Sequence, residues 1–345
     1  MSNLPNTITD VEQLEELLSR PTEGVIETLR KLDGDILFLG VGGKMGPTMA
    51  RMARRAADEI GADRKIIGVS RFSSGDLAQR LNGWGIETIA CDLLDEAAVG
   101  KLPEVANVVY LAAMKFGATG NEPLTWAMNT HLPTLVCRKF CQSRIIAFST
   151  GNVYPMMPID SGGATESNPV GPVGEYAMST LGRERMFQYF SNQLKIPTCL
   201  IRLNYACEAR YGVLVDIAQQ VWSGQPIDLS MGYLNTLWQG DANAMALQMF
   251  DCTETPARIM NLTGGETLRI KNLAHALGER MGKPVEFMGT ESSTALLNNG
   301  NQTIDLFGEP AVTTERLLDW VTDWVRRDGA SLNKPTHFEA RDGKY

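Results

Sequence analysis

Apolar residues along the chain gather into short unbroken runs, separated by longer stretches with helical spacing. The runs are DILFLG (35–40), KIIGVS (65–70), ETIAC (87–91), NVVYLAA (107–113), RIIAFST (144–150) and TCLIRLN (198–204). They are rich in Ile, Val and Leu and lack the alternation of a strand with one wet face. Between them apolar residues recur every three or four positions, as in PTMARMARRA after the first run. Strands buried on both faces and joined by helical crossovers predict a parallel sheet between two helical layers. RIMNLTG (258–264) is a candidate seventh strand.

Ahead of the first strand, residues 9–33 predict two short helices separated by Pro21. Leu14, Leu17 and Leu18 form one stripe, and Val25, Ile26, Leu29 and Leu32 another. Thr9 and Glu12 have the spacing of a capping box. This preface is expected on a domain edge or a subunit interface. The regions 151–175, 205–240 and 283–310 are richer in Gly, Pro, Asn and Thr. They predict a second lobe over the carboxyl ends of the strands, where such sheets bind ligands.

The first strand runs into GVGGKMG, and a helix follows. Gly40, Gly43 and Gly46 give G-x-x-G-x-x-G, with Gly42, Lys44 and Met45 completing the loop. A tight glycine turn lets backbone approach a pyrophosphate, and the helix N-terminus supplies unpaired N–H groups. Glycine spacing alone is a weak sign, but its place between the first strand and helix points to dinucleotide binding. The expected fold is therefore α/β: a Rossmann-type doubly wound parallel sheet, a smaller C-terminal substrate lobe and an N-terminal helical extension. The expected division is 1–34 for the extension, 35–204 with 236–270 for the dinucleotide domain, and 205–235 with 271–345 for the substrate lobe.

The second strand ends in Ser70-Arg71 rather than an acidic residue. A guanidinium suits a 2′-phosphate, so NADP is favoured over NAD; an arginine stacked on adenine would also serve NAD. Asp92-Leu93, after the third strand, suits the adenine amino group or a helix N-cap.

Charge and composition narrow the partners. The chain has 345 residues and a net charge of −8, with no basic run. That argues against nucleic acid or an anionic membrane as main partner. No apolar segment approaches the roughly 20 residues of a membrane helix. The N-terminus lacks the basic start and apolar stretch of a signal peptide, and a cytoplasmic location is expected. Six cysteines form no Cys-x-x-Cys pair and three histidines are scattered, so no metal is expected and the thiols read as reduced and buried. Trp222, Trp238, Trp320 and Trp324 read as core, and Met45, Met49 and Met52 as packing.

With these residues in hand, the chain resembles the extended short-chain dehydrogenase/reductase family, in particular its sugar epimerases and dehydratases, from about Asp35 to Val325. GVGGKMG resembles its G-x-x-G-x-x-G, VVYLAAMKFG its V-x-H-x-A-A segment, and FSTGNVYP its Ser-Ser/Thr-x-x-Val-Tyr-Gly motif. Asn129 matches a helix asparagine, IRLNYACEARYG resembles an R-x-x-N-x-x-G stretch, and Asp241 matches an aspartate before a late helix. The resemblance implies that Tyr176, in GEYAMST, passes a proton to or from the substrate oxygen while Thr150 holds that oxygen. It implies cofactor contacts from Ala112, Ala113, Lys115, Asn129, Ser149 and Tyr176. Asn152, Tyr154, Asn204, Arg210, Tyr233 and Asn235 fall where the family binds substrate. A homodimer and a carbohydrate-like substrate are implied too.

One position departs. The family's lysine, four residues after the tyrosine, is Thr180 here. A phenol titrates near ~10, and a nearby cation lowers that by roughly 1–3 units. A helix N-terminus offers about 0.3–1 kcal/mol, less than the ~1.4 kcal/mol of one unit. Lys115 is the expected substitute, with Arg183 as the other candidate. The family's diphosphate-clamping arginine is absent from MGYLNTLWQGD, which favours an unactivated sugar or sugar acid. Gly151-Asn152 replaces the dehydratases' Asp-Glu pair, which weakens elimination. Oxidoreduction and epimerisation remain level, and a catalytically decayed dinucleotide sensor is the alternative.

Overall fold

The computed structural model describes residues 4–344 apart from Ser74, Phe116 and Ala118. Seven parallel strands form the central sheet: β1 (Ile36–Leu39), β2 (Ile66–Ser70), β3 (Glu87–Ala90), β4 (Asn107–Tyr110), β5 (Arg144–Thr150), β6 (Thr198–Leu203) and β7 (Arg258–Leu262). Their order is β7-β6-β5-β4-β1-β2-β3. The chain winds outward from β1 to β3, then returns to place β4 beside β1, in register from Ile36 opposite Asn107. This reversal leaves a crevice at the carboxyl ends of β1 and β4.

Alternate side chains of these strands feed two cores. Ile36, Phe38, Ile66, Val109, Ile146 and Ile201 pack on one face, against Met49 and Met52 of α3 (Gly46–Glu59). Leu37, Leu39, Val69, Val108, Tyr110, Ala147 and Leu200 pack on the other, against Phe187 and Phe190 of the long helix Gly174–Leu194. Burial on both faces is why the runs read as continuous rather than alternating.

The preface forms α1 (Val11–Leu18) and α2 (Glu23–Lys31). The cap of α1 is shifted one residue from the expected box. Asp10 accepts from Gln13 N at 2.8 Å, and the Gln13 side chain accepts from Thr9 N. Val25, Ile26 and Leu29 join the core under α3, while Leu14, Leu17 and Leu18 join a separate cluster with Trp320 and Val321. Glu15 receives both Arg80, 2.5 Å away, and Arg210, at 3.2 Å. The extension thus bridges the core under α3 and the separate cluster around Trp320.

Three helices, Val213–Ser223, Ile270–Met281 and Thr314–Arg326, build the second lobe around Trp238, Trp320 and Trp324. Trp222 corrects the expectation of a core residue: it is 37% exposed, and Lys283 Nζ lies 4.8 Å from its ring centre. Beyond Arg327 the chain runs as an irregular tail. Leu332 N donates to Arg210 O, and Thr336 donates from N and Oγ1 to Asp216 at 2.8 and 2.5 Å. Gly343 of the tail packs against Gly174, where a Cβ would stand 2.4 Å from Gly343 O.

Candidate active site

The glycine loop is shaped by close approach. Gly40 sits at φ +84°, a conformation costly for other residues, and a Cβ there would lie 2.7 Å from the Ala112 backbone. At Gly46 a Cβ would lie 2.3 Å from Val41 O, so only glycine lets α3 start this close to the turn. Gly43 differs. Its Cβ would meet nothing nearer than Gly40 O at 3.5 Å, and it faces a cleft. Crowded glycines flanking an open one at a helix N-terminus make a cradle that fits a pyrophosphate.

The cleft, about 430 Å³, is bounded by this loop, the ends of β4, β5 and β6, and segment 203–213. Thr150 and Tyr176 both line it, as do Lys115, Ser149, Asn152, Asn204 and Arg183. Thr150 closes β5 and donates to Asn152 Oδ1 at 2.9 Å while accepting from Asn152 N. Tyr176 stands in the first turn of its helix, 8% exposed. Lys115 Nζ lies 5.7 Å from the Tyr176 ring centre, within range of a cation–π attraction.

Thr180 is fully buried and donates to Tyr176 O at 2.8 Å, outside the cleft. Arg183, one turn on, is 2% exposed. It donates to Phe148 O at 2.8 Å and Asn129 Oδ1 at 2.5 Å, and its buried Nε has no hydrogen-bond partner. A buried cation thus projects from the tyrosine helix itself, held by neutral acceptors. Burial pushes the Lys115 ammonium down to about 8. Burial first, then repulsion from Lys115 and Lys334, holds Lys44 down at about 6.

The model of the NAD dependent epimerase/dehydratase family matches residues 36–210, about half of the chain. The chain belongs to that family. It is an epimerase/dehydratase-type enzyme that works with a nicotinamide dinucleotide. No curated protein matches the sequence. Among solved structures, the UDP-glucose 4-epimerase of Thermotoga maritima, with UDP-glucose, is 17% identical at TM-score 0.68, covering 85% of this chain and 99% of that one. The dTDP-glucose 4,6-dehydratase DesIV of Streptomyces venezuelae, with NAD and TYD bound, is 17% identical at TM-score 0.72, covering 85% and 97%. The UDP-glucuronic acid 4-epimerase of Bacillus cereus, in complex with NAD, is 16% identical at TM-score 0.69, covering 85% and 96%. At these identities the likeness is one of fold.

The remaining residues of this epimerase/dehydratase divide by position. Lys44, Met45 and Ala113 line the cleft, and Ala112 packs behind Gly40. Ser70 ends β2 beside Gly42, Arg71 next to it is exposed, and Leu93 is buried. Asp92 is exposed and accepts from Leu94 N at 3.0 Å, a local turn bond. Asn129 lies under the cleft rather than in it. Its amide bonds Met114 N and O, Ser179 and Arg183, so it braces the segment leading to Lys115. Ser149 donates at 2.5 Å to Glu184, which is buried in a bidentate pair with Arg202.

Four expected substrate contacts stand outside this cleft. The Tyr154 hydroxyl donates to Asn261 Oδ1 at 2.9 Å, with Arg202 over its ring. Arg210 is held by Glu208 and Glu15. Asn235 bonds Glu266 O and Asn298 N, and Tyr233 pairs with Arg269 in a short ladder. In their place the cleft gathers Tyr205, Tyr211, Gln239, Lys334 and Thr336, which no motif singles out.

Proposed function

We propose that the enzyme interconverts a secondary alcohol and a ketone on a carbohydrate-like substrate, in net oxidoreduction or epimerisation. The observation that carries this reading is that Thr150 and Tyr176 line the same cleft as the glycine loop. A bound nicotinamide dinucleotide supplies the hydride acceptor and donor. Gly43 and the start of α3 would hold its pyrophosphate, and Arg71 would meet a 2′-phosphate, favouring NADP.

Tyr176 holds or moves the proton of the reacting oxygen, and Thr150 donates a hydrogen bond to that oxygen. Lys115 takes over the work of the absent lysine. Its ammonium lies 5.7 Å from the Tyr176 ring centre, where it stabilises negative charge that develops on the reacting oxygen. Arg183 adds fixed positive charge two turns along the same helix, while Asn129 positions the Lys115 segment. Asn152 and Asn204 are the substrate contacts this cleft supports. One of the solved structures named above holds UDP-glucose; an unactivated sugar or sugar acid is the better substrate here, because MGYLNTLWQGD holds no arginine.

Titration with NADPH and NADH, followed by a turnover screen over sugars and sugar acids at the nicotinamide absorbance, tests the reading. Tighter NADPH binding and turnover of one carbohydrate are expected. Dinucleotide binding without turnover across the panel would instead support the decayed sensor.

A further inference from the structure

Some amides around the cleft are committed to the fold. Asn129 uses both ends of its side chain, on Met114, Ser179 and Arg183, and Asn152 Oδ1 accepts from Thr150. Two others keep an end without a partner. Asn204 Nδ2 and Gln239 Nε2 are buried and make no hydrogen bond, although both residues line the cleft and each is 2% exposed. An amide N–H buried in this way has lost its water without gaining an acceptor, a cost that folds seldom carry and binding sites retain.

The two amides reach the cleft by separate routes, and each backbone is fixed. β5 and β6 pair with Thr150 opposite Leu203, so Asn204 stands one residue past the level of Thr150 on the neighbouring strand end. Its own N–H is held by Leu262 O at 3.0 Å, at the end of β7. Gln239 opens the helix Gln239–Gln248, whose ten residues are all buried. Just before it, Leu237 and Trp238 pair in parallel with Ala206 and Cys207, two and three residues beyond Asn204. This short ladder keeps the start of the helix beside the segment that leaves β6. The unmade bonds therefore belong to the side chains alone. Both donors are neutral, and the acceptors they suit are hydroxyl and carbonyl oxygens.

We infer that Gln239 is a specificity-determining residue, whose side-chain amide joins that of Asn204 in holding a neutral hydroxyl or carbonyl oxygen of the substrate. This rests on the proposed function, in which Asn204 contacts substrate, and names the group that the pair reads.

Gln239→Met keeps the length of the side chain and removes the amide. Two measurements test it: the thermal unfolding midpoint of the free protein, and calorimetric titration of NADPH-loaded protein with D-glucose, D-galactose and D-gluconate. An amide kept for substrate does no work in the free protein, so the variant should unfold within about 1 °C of wild type or above it. The carbohydrate that binds wild type best should bind the variant about three- to tenfold more weakly, with NADPH affinity within about twofold. Among its monodeoxy analogues, one should bind wild type about tenfold worse than the parent does and bind the variant as well as the parent does. Asn204→Leu, similar in shape, should show the same pattern. A Gln239→Met protein that unfolds several degrees early overturns the inference, because the glutamine would then hold the fold. Undiminished carbohydrate binding by a stable variant overturns it too and leaves the proposed function intact. If wild-type protein binds NADPH but none of the three carbohydrates, the carbohydrate reading falls and this inference with it; if it binds no NADPH, the proposed function itself falls.

Discussion

Two alanine substitutions in the glycine loop separate its structural work from its binding work. At Gly46 the new Cβ would lie 2.3 Å from Val41 O and 2.8 Å from Val41 C and Cα. These are backbone atoms, so no rotamer change relieves the clash, and α3 or the turn must move. Overpacking of this kind costs about 1–3 kcal/mol or more. At Gly43 the new Cβ meets only Gly40 O, at 3.5 Å, an ordinary contact. Gly43→Ala should therefore leave stability within about 0.5 kcal/mol of wild type. Its methyl nevertheless enters the cleft where phosphate oxygens must approach the backbone. Losing one charge-assisted hydrogen bond costs about 1.5–3 kcal/mol, or ~10–10²-fold in Kd. Guanidinium unfolding measures the first quantity and NADPH titration by tryptophan fluorescence the second. Gly46→Ala should unfold early, and Gly43→Ala should unfold like wild type but bind weakly. A Gly43→Ala protein with wild-type stability and wild-type affinity would refute the placement of the pyrophosphate.

Other expectations follow from buried charge. Thr180→Lys puts a second cation one helical turn from buried Arg183, so it should lose ~2 kcal/mol or more of stability and turn over more slowly. Adding Arg183→Met should restore part of the stability; a faster single variant would show that the position was merely vacant. Lys44 titrates at about 6 in the folded enzyme against an ordinary 10.5. Below pH ~6 both folded and unfolded chains carry the proton and the burial penalty is complete; from there to about 10.5 the unfolded chain holds more protons, so stability rises with pH. Lys44→Met should flatten that rise in unfolding midpoints taken between pH 6 and 9, and parallel curves for the two proteins would contradict it.

Much of the architecture was legible because the inner strands of the sheet are buried on both faces, although the edge strand β3 is exposed or half-buried. Burial of the inner strands leaves continuous apolar runs, and each of the seven predicted runs holds one strand of the sheet. The glycine loop was readable because backbone crowding at Gly40 and Gly46 tolerates no side chain. Thr150 and Tyr176 were placed by motif, and both line the cleft. What sequence could not carry was the partner of each long polar side chain. Tyr154 sits by a motif position, yet its hydroxyl is taken by Asn261, 107 residues on. Arg210 looked available for substrate until Glu15, 195 residues earlier, proved to hold it. Lys334 lies in a tail without periodicity, so nothing local brings it to the cleft. Its position depends on the side-chain bond between Thr336 and Asp216.

Tyr176 is proposed to move the proton in this cleft. The most direct measurement is turnover of Tyr176→Phe on whichever carbohydrate the wild type accepts, with NADPH affinity measured in parallel. A loss of at least ~10²-fold in kcat with NADPH affinity unchanged is expected. Turnover near wild type would contradict it and remove Tyr176 from the mechanism.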